Sequence, residues 1–136
     1  KGVKLVCGGK ADSTLMPATL IDHVTPAMRI YREETFGPLA GVIRFRDEDE
    51  VIALANASEF GLASYFYARD LGRVWRVAEA LEAGMVGINT GPISTEVAPF
   101  GGIKQSGLGR EGSRHGLDDY LEIKYLCIAL GNEKTA

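Results

Sequence analysis

The sequence predicts an α/β fold built mostly on parallel strands, and three observations carry that reading. Between residues 39 and 88, short apolar runs alternate with amphipathic stretches in the order strand, helix, strand, helix, strand. The last of those strands, residues 85–88, ends at Asn89 and opens into a long loop rich in glycine, where open α/β sheets place their ligands. The composition is that of an ordinary globular chain of 136 residues, 46% hydrophobic and 24% charged. A net charge of −3 argues against a nucleic-acid binder. No apolar run approaches membrane-spanning length, so no membrane association is expected.

Residues 4–7 form a short β-type run closed by Gly8-Gly9, and residues 16–21 form a second, interrupted by Pro17. Residues 22–28 read as loop. Arg29 to Pro38 brings two carboxylates and Phe36 to a Gly37-Pro38 turn, and residues 39–45 follow as a strand. On composition alone, this is a solvated acidic turn with Phe36 plugging the core. The run Asp47-Glu48-Asp49-Glu50 is helix punctuation: Asp47 is the N-cap, Glu50 sits three residues on, and the acids suit the positive end of the helix dipole. Residues 62–67 make the next strand. Asp70 caps a second helix with Val74, Val77, Ala78 and Leu81 on one face, and Gly84 terminates it. Residues 110–119 suggest a short helix weakened by Gly112 and Gly116. Residues 120–130 read as a hydrophobic strand, which needs pairing or cover.

Residues 84–112 hold the loop around which the chain is organised. Ile93, Val97, Phe100 and Ile103 punctuate it and argue against disorder. Three features invite a chemical reading that the residues do not support. Gly107-Leu108-Gly109-Arg110-Glu111-Gly112 matches the dinucleotide fingerprint in letters, yet no strand precedes it to form the required turn. Cys7 and Cys127 lack cationic neighbours that would lower a thiol pKa, so both read as small buried hydrophobes. Two cysteines fit a reduced, cytoplasmic protein better than a disulfide framework. His23 and His115 stand apart from any ligand-spaced partner, so no metal site is expected.

The sequence Asn-x-Gly-x-Ile-Ser, followed by Pro-Phe-Gly-Gly-x-Lys-x-Ser-Gly-x-Gly-Arg-Glu-Gly, resembles the C-terminal part of the aldehyde dehydrogenase superfamily. Within it, the succinate-semialdehyde dehydrogenases look most similar. The resemblance implies the C-terminal part of the catalytic domain over residues 1–119 and an oligomerisation strand and tail over residues 120–136. It also implies an enzyme that oxidises an aldehyde by cysteine attack, hydride transfer to NAD or NADP, and hydrolysis of the thioester. Glu34-Thr35-Phe36-Gly37-Pro38 is similar to the family motif whose glutamate binds the nicotinamide ribose hydroxyls and whose phenylalanine packs by the nicotinamide. A carboxylate fits that task because it accepts two hydroxyl donors. Phe100 resembles the aromatic wall of the aldehyde pocket, and Ser94 the hydroxyl that binds the distal carboxylate of succinate semialdehyde.

The family's nucleophilic cysteine, general base and oxyanion asparagine match no position here, so no catalytic residue is assigned. The segment alone is expected to be inactive. Lys1 in place of methionine, and an apolar run directly after it, lead us to expect a piece of a longer chain, whether a truncated form, a proteolytic product or a partial gene. The expected partners are a small aldehyde and further copies of the chain, joined through the terminal strand. Two alternatives stay open: a dehydrogenase for another aldehyde, and a non-catalytic α/β interaction module.

Overall fold

The computed structural model describes residues 2–131. The chain divides into two compact units, residues 1–59 with 75–81, and residues 60–74 with 82–136.

In the first unit, strands β1 (Lys4–Cys7), β2 (Thr19–Asp22) and β3 (Leu39–Gly41) form one sheet in that order. β1 runs antiparallel to β2 with an irregularity between Leu5 and Cys7, and β2 runs parallel to β3 with Thr19 opposite Leu39. β2 begins at Thr19, later than the apolar run suggests, because Pro17 has no N–H to give a ladder. β3 stops at Gly41, short of the expected residue 45. A single helical turn, α1 (Arg29–Arg32), occupies what the sequence alone leaves as irregular chain. Val24 is buried here, and a Cβ at Gly41 would stand 3.1 Å from one of its methyl groups.

Helix α2 (Glu48–Asn56) starts as its sequence requires. The Asp47 carboxylate accepts from Glu50 N at 2.9 Å. The reciprocal half of the capping box is shifted by one residue, because Glu50 accepts from Arg46 N at 2.7 Å. Asn56 Nδ2 donates to Ala80 O at 2.7 Å, and Arg76 pairs with Glu48 at 3.0 Å, tying α2 to helix α3 (Leu71–Ala80). Asp70 caps α3 as expected, accepting from Arg73 N at 2.7 Å.

The second unit holds β4 (Phe60–Gly61), β5 (Ala63–Phe66), β6 (Met85–Ile88) and β7 (Ile103–Lys104). β5 and β6 pair in parallel, Ala63 opposite Met85 through Phe66 opposite Ile88, while β4 and β7 pair antiparallel. The architecture is α/β, with two parallel and two antiparallel ladders among the described residues. The helix expected over residues 110–119 is a 3₁₀ turn, Arg114–Tyr120, since Gly112 and Ser113 take positive φ and cannot join it. Residues 121–131 form no ladder with the described residues, so the expected strand is not one within this chain, and residues 132–136 lie outside the description. No helix among the described residues is long and apolar enough to cross a membrane.

The chain exposes 11264 Å², against about 6,900 Å² for a self-contained protein of this mass. Val24 and Val77 are the only buried apolar side chains among the described residues, and neither is fully enclosed. Much of the surface is therefore apolar and uncovered.

An ion pair between Arg44 and Asp22 closes β2 in the first unit. Arg44 donates to Asp22 through Nε (3.1 Å) and Nη2 (2.5 Å), and His23 N adds a third hydrogen bond at 2.7 Å. The Arg44 hydrogen bonds, and then that of His23 N, lower the Asp22 carboxyl to about 2 against the desolvating effect of its burial. A depressed carboxylate stabilises the fold above its unfolded value of 3.8 and ceases to do so as pH falls through about 2. Asp22→Asn should therefore lower the urea midpoint at pH 7 in any polypeptide containing this segment. The gap to wild type should close between pH 3.8 and pH 2. A gap of constant size down to pH 2 would show that the charge of Asp22 is not what stabilises β2.

Candidate functional site

In the first unit, the turn after α1 separates two adjacent carboxylates by environment. Glu33 is held by Arg29, with Nε at 2.9 Å and Nη2 at 2.7 Å, and this pairing keeps its carboxyl below the usual range. Glu34 bonds no described residue, which leaves both of its oxygens available as acceptors. Gly37 N donates to Thr35 O at 2.9 Å and Leu39 N to Gly37 O at 2.8 Å, two tight turns in succession that put Phe36 at the apex. Phe36 is 94% exposed, so it does not plug the core as composition alone suggests. An unpaired carboxylate and an open ring two residues apart suit a ribose diol and a planar heterocycle, so the residues present fit a nicotinamide nucleotide.

In the second unit, the loop after β6 is held at both ends. Asn89 adopts φ +56°, a conformation that asparagine tolerates better than most side chains. Its amide copies a peptide group: Oδ1 accepts from Ala68 N at 2.9 Å and Nδ2 donates to Ala68 O at 2.8 Å. Asn89 N also donates to Phe66 O at 3.0 Å, so the β5–β6 pairing runs on past the strand. At the far end, Phe100 and Glu111 exchange two main-chain hydrogen bonds of 2.8 and 2.7 Å, and Ser113 N donates to Glu96 O at 2.8 Å. Between these anchors, Ser94 is exposed, and its hydroxyl makes none of the local turn bonds common for serine. Phe100 lines a concavity of about 570 Å³ with Leu62, Leu108, Arg110, Asp119 and Tyr120.

Gly84 does not terminate α3. Its role is steric, because a Cβ there would meet the Gly101 carbonyl oxygen and stand 2.8 Å from Gly102 Cα. Of the expected loop anchors, Ile93, Phe100 and Ile103 are half-buried, but Val97 is exposed.

Contrary to the expectation of a loop, a strand does precede the fingerprint-like run at residues 107–112, but it is the two-residue β7, paired antiparallel with β4, and the amides of Arg110 and Glu111 are bonded within the unit. Arg110 N donates to Asp119 Oδ2 at 3.2 Å, while Arg110 Nη1 donates to Gly102 O (2.8 Å) and Gly109 O (2.7 Å). Both cysteines are exposed, contrary to the buried reading, and Cys7 Sγ contacts Ala18 O at 3.7 Å. His115 pairs with Asp118 at 3.1 Å, and no cluster able to hold a metal occurs among the described residues. Composition and spacing missed the clamp made by Asn89. Its sequence signal was an asparagine directly after an apolar run, where positive φ is tolerated.

The model of the aldehyde dehydrogenase family matches residues 1–126, and the chain belongs to that family. It is 64% identical to the glutarate-semialdehyde dehydrogenase of Pseudomonas putida, over 96% of this chain and 27% of that protein. It is also 64% identical to the NADP(+) succinate-semialdehyde dehydrogenase of Escherichia coli, over 96% of this chain and 28% of that protein. Among solved structures, it superposes on succinate-semialdehyde dehydrogenase from Burkholderia pseudomallei with a TM-score of 0.90 and 61% identity. That match covers 95% of this chain and 27% of the other. The chain thus spans little more than a quarter of the proteins it matches.

The Asn89 clamp gives a direct test. Asn89→Asp keeps the acceptor for Ala68 N but turns an oxygen toward Ala68 O, so the second bond is lost. Stability of the folded segment should fall by about 1–2 kcal/mol, with faster hydrogen exchange at the Ala68 amide. Unchanged Ala68 exchange would mean that the side chain does not hold the loop.

Proposed function

We propose that this chain is part of an NAD(P)+-dependent dehydrogenase that oxidises succinate semialdehyde to succinate through a cysteine thioester. The observation that carries this reading is the 64% identity to enzymes named for semialdehydes that end in a carboxylate. The nucleophile, general base and dinucleotide domain would come from other parts of the enzyme, and the segment alone is not proposed to turn over aldehyde. Glu34 would take the ribose hydroxyls of the nicotinamide half and Phe36 would lie by its ring. The oxidised nicotinamide, when bound, supplies the hydride acceptor. Ser94 would donate a hydrogen bond to the distal carboxylate of the aldehyde, and Phe100 would wall the pocket.

The same reading covers assembly. Residues 121–131 expose Leu121, Ile123, Tyr125, Leu126, Ile128 and Leu130, a row of apolar side chains whose main chain beyond Leu121 pairs with no strand among the described residues. Such a segment is suited to pair with another copy of the chain as an added strand. Two unpaired, exposed thiols fit a cytoplasmic setting.

In the full-length enzyme, Ser94→Ala should lower kcat/KM for succinate semialdehyde by roughly 10–150-fold, the value of one hydrogen bond to a charged acceptor. An uncharged aldehyde of similar length should be nearly unaffected. Equal loss on both substrates, or on neither, would remove the substrate assignment and leave the family standing.

Glu34→Gln should slow hydride transfer on the order of 100-fold, as expected when a reacting ring is displaced by ~1 Å. Single-turnover rates equal to wild type would return Glu34 to the role of a solvated turn residue.

A further inference from the structure

The residue just before Ser94 seats the loop on the sheet. β6 has no side chain at Gly87, which is buried, and a Cβ there would stand 2.5 Å from Tyr65 Cδ1 and 3.0 Å from Ile93 Cγ2. The vacant volume is filled by the Tyr65 ring, from the residue opposite Gly87 in the parallel ladder, and by the branched end of Ile93. Ile93 is half-buried, while Pro92, Ser94 and Thr95 on either side are exposed. Between the Asn89 clamp and Thr95, the main chain makes no hydrogen bond to another main-chain group among the described residues, and the one local bond, Thr90 Oγ1 to Pro92 O at 3.4 Å, does not tie the loop to the sheet. The seat of Ile93 therefore sets where the next residue stands, and branching at Cβ limits the rotamers through which that seat could loosen.

We propose that Ile93 is a positioning residue for substrate choice: seated over Gly87, it holds the Ser94 hydroxyl where a distal carboxylate meets it. This rests on the role proposed above for Ser94. Alanine at 93 removes the packed branch, leaves the loop free to shift, and weakens a hydrogen bond whose strength depends on distance and angle. Valine keeps the branch. Leucine keeps the volume but moves the branch out by one carbon.

The test is a double-mutant cycle in the full-length enzyme, reading kcat/KM for succinate semialdehyde and for an uncharged aldehyde of similar length. Ile93→Ala should lower the ratio of the two on the order of 10-fold, chiefly through KM for the carboxylate substrate, and Ile93→Val should retain most of it. In a Ser94→Ala background, Ile93→Ala should cause no further loss of the ratio, because Ile93 acts through Ser94. An equal loss on both substrates, or full additivity with Ser94→Ala, would overturn the proposal. If Ile93→Ala does not yield folded enzyme, Ile93→Leu takes its place, and an unchanged ratio would be equally fatal. A Ser94→Ala enzyme with an unaltered ratio removes the substrate role and the positioning role together. A lowered ratio in Ser94→Ala beside an unaltered one in Ile93→Ala removes the positioning role alone.

Discussion

The second unit depends on backbone touching backbone. Gly61, Gly84, Gly101 and Gly102 converge where β4, the start of β6 and the end of the glycine-rich loop meet. Gly84 N donates to Gly61 O at 2.9 Å, and Gly84 leaves no space for a Cβ beside the Gly101 carbonyl. A Cβ at Gly61 would stand 2.8 Å from Glu82 O, and one at Gly102 would stand 2.6 Å from Ser106 Cβ. Side chains cannot make such contacts, so the constraint falls on residue identity at these sites. The loop returns to the sheet at Gly101-Gly102 because the main chains pass within contact distance there, and Ser106 Oγ then accepts from Gly61 N at 3.0 Å. The placement of Phe100 and the concavity it lines follow from that return.

Electrostatics in the first unit follow a different logic, one of pairing and omission. Asp22 is satisfied by Arg44 and by a main-chain amide, Glu33 by Arg29, Glu48 by Arg76 and Glu50 by Arg46. Glu34, next to Glu33 in the chain, stays outside this network. Paired carboxylates hold the fold locally, whereas an unpaired one keeps its full capacity to accept from an incoming group.

Elements whose signals are local were legible in the sequence. Asp47 and Asp70 cap α2 and α3 as read, β1 spans the predicted residues, and β6 runs from Met85 to Ile88 before the loop begins at Asn89. Local propensity failed where long-range contact decides. Gly84 resembled a helix terminator but answers to Gly101, distant in sequence. The Cys7 and Cys127 segments seemed apolar enough to bury, yet the chain lacks the surface to cover them. Residues 121–130 have the pattern of a strand, but a strand needs a neighbour, which a pattern cannot supply. Of the candidate site residues, Glu34, Phe36, Ser94 and Phe100 were marked by motif resemblance; Ile93 and Asn89 stood out in the sequence as a loop anchor and a strand end, but their partners, Gly87 and Ala68, were not legible there.

The loop anchors have a consequence for how such a fold diversifies. The hydrogen bonds at Glu96, Phe100 and Ala68 are made by main-chain atoms, and among side chains only Asn89 takes part. Apart from Ile93, which packs over Gly87, the stretch between is thus a cassette whose ends do not depend on its exposed side chains. Residues at 94 and 95 can be exchanged without unsettling β5, β6 or the glycine contacts that hold the unit together. A lineage carrying this scaffold could vary the exposed positions of the loop by one or two codon changes, with little loss of foldability along the way.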